Sequence, residues 1–135
     1  MKSLTVFLLF PPVAAAVRFN GYPTVQKEHT LSKLVFTGRV VRDHKTAGDG
    51  GYFDLDGDTY TVVPTHVYKG ETKAEVDLYS ENSSGGFPMQ VGQGYLIFAY
   101  EVHGRLIVNN CGNSNLISHS RSAVAEVAKL SRKGK

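Results

Sequence analysis

From Leu34 to Asn110 the chain passes between continuous apolar runs, strict alternation and glycine-rich breaks, and each change marks an element. LVFTGRVVRDH (34–44) is apolar and β-branched and predicts a strand. Thr46 to Gly51 is a turn cluster. In YFDLDGDTYTVVPTHVYKG (52–70), Asp56-Gly57 predicts a hairpin or tight turn, because glycine accepts positive φ at no steric cost. Tyr60, Val62 and Val67 then continue as a long strand that Gly70 ends. Pro64 cannot donate to a ladder, so a bulge or an edge is expected there. AEVDLYS (74–80) sets Val76, Leu78 and Ser80 against Glu75, Asp77 and Tyr79, the pattern of a half-buried strand. ENSSGGFPMQVGQG (81–94) is a long loop of turn residues. YLIFAYEV (95–102) is a nearly continuous apolar strand, and His103-Gly104 turns it back into RLIVNN (105–110). In SRSAVAEVAKLSRK (120–133), Ala123, Val124, Val127, Ala128 and Leu130 recur at helical spacing, with Ser120 or Ser122 as the cap. That stripe is thin, so the helix is expected on the outside of the sheet. The pattern is all-β with a terminal helix: five or six strands in a small closed antiparallel barrel.

The ends of the chain alter this picture. Residues 1–16, MKSLTVFLLFPPVAAA, have a positive Lys2, an apolar run from Leu4 to Phe10, a break at Pro11-Pro12 and small residues at Ala14–Ala16. This is the pattern of a signal peptide, and the run is well short of the ~20 residues a membrane helix needs. It predicts a secreted, periplasmic or cell-surface protein with no transmembrane segment in the mature chain. About 119 residues remain from Val17 on, enough for a core without disulfides or metals. Residues 17–33 read as an N-terminal arm without clean periodicity, with a short helix near Val25–Leu34 as one option. The formal charge of +3 comes from the tail, where Arg121, Lys129, Arg132, Lys133 and Lys135 face only Glu126; residues 17–120 come to about −2. A nucleic-acid binder carries its positive charge on the face that meets phosphate, so the sequence holds no strong nucleic-acid signal.

LVFTGRVV, HVYKG, VGQGYLIFAY, LIVNNCGNSNLIS and the final helix occur in an order that resembles the netrin-like family, which includes the tissue inhibitors of metalloproteinases. The resemblance covers about 34–130. It implies an oligonucleotide/oligosaccharide-binding (OB-type) barrel over 34–135, with the terminal helix at about 120–132. It also implies a Cys-x-Cys pair at the mature N-terminus, one cysteine bonded to a loop cysteine before the YLIFA-type strand and the other to a cysteine ending the next strand. Cys111 stands at the last position, the loop position falls at or near Ser84, and the mature N-terminus around VRFNGY has no cysteine. In the animal inhibitors the N-terminal cysteine grips the target's zinc, and a disulfide pins it. Here that arm has no such pin, and ordering it on binding costs about 1–2 kcal/mol per residue. Metalloprotease inhibition is therefore disfavoured, since fold alone does not carry function.

Few residues point to chemistry. Cys111 is the only cysteine, a free thiol that reads as a buried or half-buried remnant beside Leu96 and Ile97; a disulfide-linked dimer through it is the alternative, and a nucleophile would need a neighbouring base. Asp54, Asp56 and Asp58 alternate but fail the spacing of a calcium loop, and the five histidines show no zinc pattern. No phosphate-loop, nucleophile-elbow or dinucleotide motif occurs, so no catalytic, metal or cofactor residues are assigned. Asn82-Ser83-Ser84 is a glycosylation acceptor pattern. Phe87 and Met89 are expected at an exposed loop tip, as a protein contact. Tyr79 and Tyr100 are expected to face outward, where they could stack a sugar or a base. The sequence points to an exported, non-enzymatic binding or protein-interaction module of unspecified ligand. A barrel for sugar or single-stranded nucleic acid is the alternative.

Overall fold

The computed structural model describes residues 23–133. The expected signal peptide and the first residues of the arm lie outside them. Leu34–Thr46 forms β1 and Gly57–Lys69 forms β2, two long antiparallel strands paired from Val35↔Lys69 to Thr46↔Gly57. Val76–Glu81 (β3) pairs with β2, Gly94–Val102 (β4) pairs with β1, and Arg105–Ile107 (β5) pairs with β4. Contact between β3 and β5 at Tyr79↔Ile107 closes an OB-type ring in the order β1-β2-β3-β5-β4-β1. Asn115–Leu116 (β6) adds a short sixth strand beside β4. The closed barrel is thus as expected, but its strands are not all antiparallel: β3 and β5 run parallel. Five is an odd number, so a ring of five strands cannot alternate direction at every step, and one pair must match. The parallel pair falls where the ladder is shortest.

Two apolar layers explain the continuous runs in β1 and β4. Leu34, Phe36, Val40, Tyr60, Val62, Leu78, Tyr95, Ile97 and Ala99 fill the barrel. The intervening residues Val35, Leu96 and Phe98 point outward and are buried under Val127. That valine belongs to the terminal helix, Arg121–Lys133 (α2). A strand buried on both faces has no alternation to show. Ser120 starts α2 through its backbone, its carbonyl accepting from the Val124 N–H at 2.8 Å, while its hydroxyl donates back to the Leu116 carbonyl at 2.7 Å. The side-chain cap expected of Ser120 therefore does not form.

The turns divide. His103 and Gly104 both take positive φ (49° and 79°), the two-residue turn whose twist matches its strands. Pro64 lies beyond the last β2–β3 pair, Val62↔Val76, and opposite a register shift in β1, the bulge and edge expected of it. Asp56-Gly57 is not a turn. Residues 47–56 form the β1–β2 connection, and Gly57 is the first residue of β2. Its lack of a side chain serves close packing, since a Cβ there would lie 2.4 Å from the Ser80 carbonyl oxygen.

The arm is tied to the barrel without a disulfide. Val25–Leu31 forms α1, capped by Thr24, whose Oγ1 accepts from the Lys27 N–H at 3.1 Å. The buried Glu28 of α1 is 1% exposed. Its Oε1 accepts from the Asn113 N–H at 2.6 Å and from Asn113 Nδ2 at 2.9 Å. Its Oε2 accepts from the Tyr100 hydroxyl on β4. Asn113 Nδ2 also donates to the Pro23 carbonyl at 3.0 Å. At the other end of α1, the Lys69 ammonium donates to the carbonyls of His29 (2.7 Å) and Thr30 (2.9 Å), which have no partner within the helix. Asn113 lies two residues past Cys111, so a polar joint holds the arm beside the place where the resemblance implies a disulfide.

Candidate binding face at the loop end of the barrel

The β1–β2 connection is held by its own turn chemistry. The Gly51 N–H donates to Asp49 Oδ1 at 2.8 Å, and the Gly48 N–H to Asp56 Oδ1 at 2.8 Å. The Asp49 N–H donates to the Phe53 carbonyl at 2.8 Å, and the Tyr79 hydroxyl to the Leu55 carbonyl at 2.6 Å. Gly50 takes φ 74°, which the tight return requires. This frame presents Tyr52, 65% exposed, and Leu55, 46% exposed. The Tyr52 ring lies 4.1 Å from the His103 ring, centroid to centroid and tilted by 33°. It meets Phe53 edge-on at 5.1 Å, and Phe53 meets Tyr79 edge-on at 5.4 Å. The Arg105 guanidinium, from the first residue of β5, covers both rings, with Cζ 4.4 Å from the Phe53 centroid and 4.7 Å from that of Tyr79.

Tyr52, Phe53 and Tyr79 wall a cleft of about 270 Å³ that Asp54, Glu81, Asn109 and Cys111 also line. The surroundings are acidic. Burial pushes the Tyr79 hydroxyl above the ordinary tyrosine value, Glu81 pushes it further, Arg105 opposes, and Asp49 and Asp56 add to the rise. Among the described residues no three His, Cys, Asp or Glu side chains converge as a metal site. The Asp54–Asp58 alternation is spent separately: Asp58 meets Lys45 Nζ at 3.2 Å and Asp56 holds Gly48.

The four expected binding residues are placed differently from expectation. Met89 is 5% exposed, inside the barrel core. Phe87 packs against that core, edge-on to Tyr95 at 5.9 Å. Their loop turns inward because the Phe87 N–H donates to Ser80 Oγ at 2.7 Å and the Gln90 N–H to the Tyr95 hydroxyl at 2.9 Å. The two residues plug the barrel instead of projecting from it. Tyr79 is 5% exposed, covered by the 47–56 connection. Tyr100 is half-buried and committed to Glu28. Of the four, only Tyr79 lines the cleft, as part of its wall. Cys111, expected beside Leu96 and Ile97, is exposed instead. β5 stops at Ile107, and it is Asn115 and Leu116 that pair with Leu96 and Tyr95. Its Sγ faces Asn110 Oδ1 at 3.5 Å.

Tyr52, His103 and Arg105 carry the face, and the linear pattern singled out none of them as a site. The available signal was position: Tyr52-Phe53 directly follows Gly50-Gly51, which places two aromatics on a turn instead of in a strand. Among the described residues no helix is long and apolar enough to cross a membrane. Neither the protein-family models nor the curated protein sequences contain a match to this chain.

Proposed function

We propose that this chain is an exported, non-enzymatic binding module of netrin-like type that recognises a partner polypeptide with the face built from residues 47–56 and the His103-Gly104 turn. One observation carries the reading: Tyr52 and Leu55 are large, exposed apolar side chains on one internally braced loop. Among the described residues the other exposed large apolar side chains, Leu31, Val91 and Ile117, stand on other elements. Scattered exposure is ordinary, whereas a clustered patch on a rigid frame is the mark of a contact surface. The place agrees, because OB-type barrels receive their ligands at the loops joining strands 1–2 and 4–5. The signal-like pattern of residues 1–16 supports export, and the ring order with a terminal helix supports the netrin-like reading.

The test is a selection from a random-peptide display library on immobilised protein, with each enriched peptide re-measured on two variants. Tyr52→Ser/Leu55→Ser should abolish binding, and Val91→Ser, on the 81–93 loop, should leave it unchanged. Peptides that bind the first variant as well as the native protein refute the proposal.

A further inference from the structure

The partner's chemistry follows from the charge around the same loop. We infer that the segment docked on this face is basic, and that it places an arginine or lysine side chain on the open side of Tyr52. The inference rests on the binding face proposed above and adds the class of ligand to it.

Two independent features converge. The first is the ring cluster itself, which already holds a guanidinium: Arg105 lies over Phe53 and Tyr79 at the distances of cation–π contact. Tyr52 continues that cluster outward. It is backed by His103 and two-thirds of its surface is open. A second cation therefore has the same kind of surface waiting beside the first. The second feature is the sign of the field. Asp49, Asp54, Asp56 and Glu81 surround the cluster, all exposed, and among the described residues the half-buried Arg105 is the cation that lies over its rings. A phosphate backbone would meet repulsion here. A neutral ring could stack on Tyr52 but would gain nothing from the carboxylates' charge. A basic side chain gains from both, its flat or alkyl part on the ring and its charge toward Asp54 and Glu81, which line the cleft. Asp54 is the clean probe of this, because Asp49 and Asp56 are engaged in holding the loop.

The experiment is an amide chemical-shift titration of the full mature protein with four probes: the blocked peptide Gly-Arg-Leu-Arg-Gly, its counterpart with glutamate at both arginines, cellotetraose, and an oligothymidylate. The arginine peptide should move amides in 47–56 and 103–105. Its affinity should fall at least about tenfold between low and near-molar salt, as exposed charge pairs are screened. It should also fall in Asp54→Asn and in Glu81→Gln, both of which keep the native amide fingerprint. Equal binding of the glutamate peptide, or salt-independent binding of the arginine peptide, overturns the basic partner and leaves the face standing. Cellotetraose or oligothymidylate moving these amides while the arginine peptide does not has the same meaning. If no probe moves them, whether or not the arginine peptide moves other amides, the inference and the proposed face fail together.

Discussion

Replacing Glu28 by alanine removes the acceptor for three donors at once: the Asn113 N–H, Asn113 Nδ2 and the Tyr100 hydroxyl. Hydrogen bonds to a charged group contribute about 1.5–3 kcal/mol each, and a buried donor left without a partner costs about 1–3 kcal/mol. The Asn113 amide and the Tyr100 hydroxyl are half-buried and can regain water, so the backbone N–H and the lost charge–dipole contacts dominate. The expected loss is about 3–4 kcal/mol for Glu28→Ala. Glu28→Gln keeps one acceptor oxygen and should lose about 1–2 kcal/mol. Urea unfolding at neutral pH reads this directly. With a slope of about 2 kcal/mol per molar, the alanine variant's midpoint should fall by about 1.5–2 M at unchanged slope. Gly112 supplies a control on geometry, since a Cβ at that position would sit 2.0 Å from Glu28 Oε2. Gly112→Ala should therefore be costly in the native protein and much less so beside Glu28→Ala, a non-additivity only neighbours show. A Glu28→Ala midpoint within about 0.3 M of the native value would refute the joint as the arm's fastening.

Four further outcomes follow. Burial first, then the hydrogen bond to Glu28 and that carboxylate's charge, raise the Tyr100 hydroxyl well above the ordinary tyrosine value of 10.0. A raised folded pKa favours the protonated form, so this contribution is fully present below about pH 10 and lost as pH climbs above it. The native protein should lose more stability than Tyr100→Phe between about pH 9.5 and 11.5 by urea unfolding. Cys111, being exposed, should react with Ellman's reagent in the folded state; reaction only after unfolding would contradict its placement. Gly57→Ala should cost about 2–4 kcal/mol in thermal or urea unfolding, because the new Cβ would collide with the Ser80 carbonyl and the Tyr79 ring. Tyr52→Ser/Leu55→Ser should change stability by less than about 1 kcal/mol, since both side chains lie at the surface, and a larger loss would mean that the loop is structural.

Local pattern located the strands well where one force decided them. β1, the β4–β5 hairpin with its His103-Gly104 turn, the Pro64 irregularity and the terminal helix all follow from apolar periodicity and turn chemistry. What was not legible depends on contacts between distant segments. Tyr79 alternates outward from the barrel interior as the period of two requires, but the 47–56 loop, more than twenty residues earlier, folds over it. Phe87 and Met89 sit among glycine, serine and proline, a composition that marks a loop without saying whether the loop projects or plugs. Glu28 looks like a surface charge on a short helix, and only its approach to Asn113, 85 residues later, shows why it is buried. The binding face has the same character: Tyr52, Tyr79 and Arg105 meet only once the ring closes.

Amide hydrogen exchange of the protein, read by mass spectrometry with and without its tightest display-selected peptide, tests the recognition face most directly. Slowed exchange concentrated in residues 47–56 and 103–105 is the predicted result. Slowed exchange confined to residues 84–91, or to the 110–123 side of the barrel, with 47–56 unchanged, would contradict it.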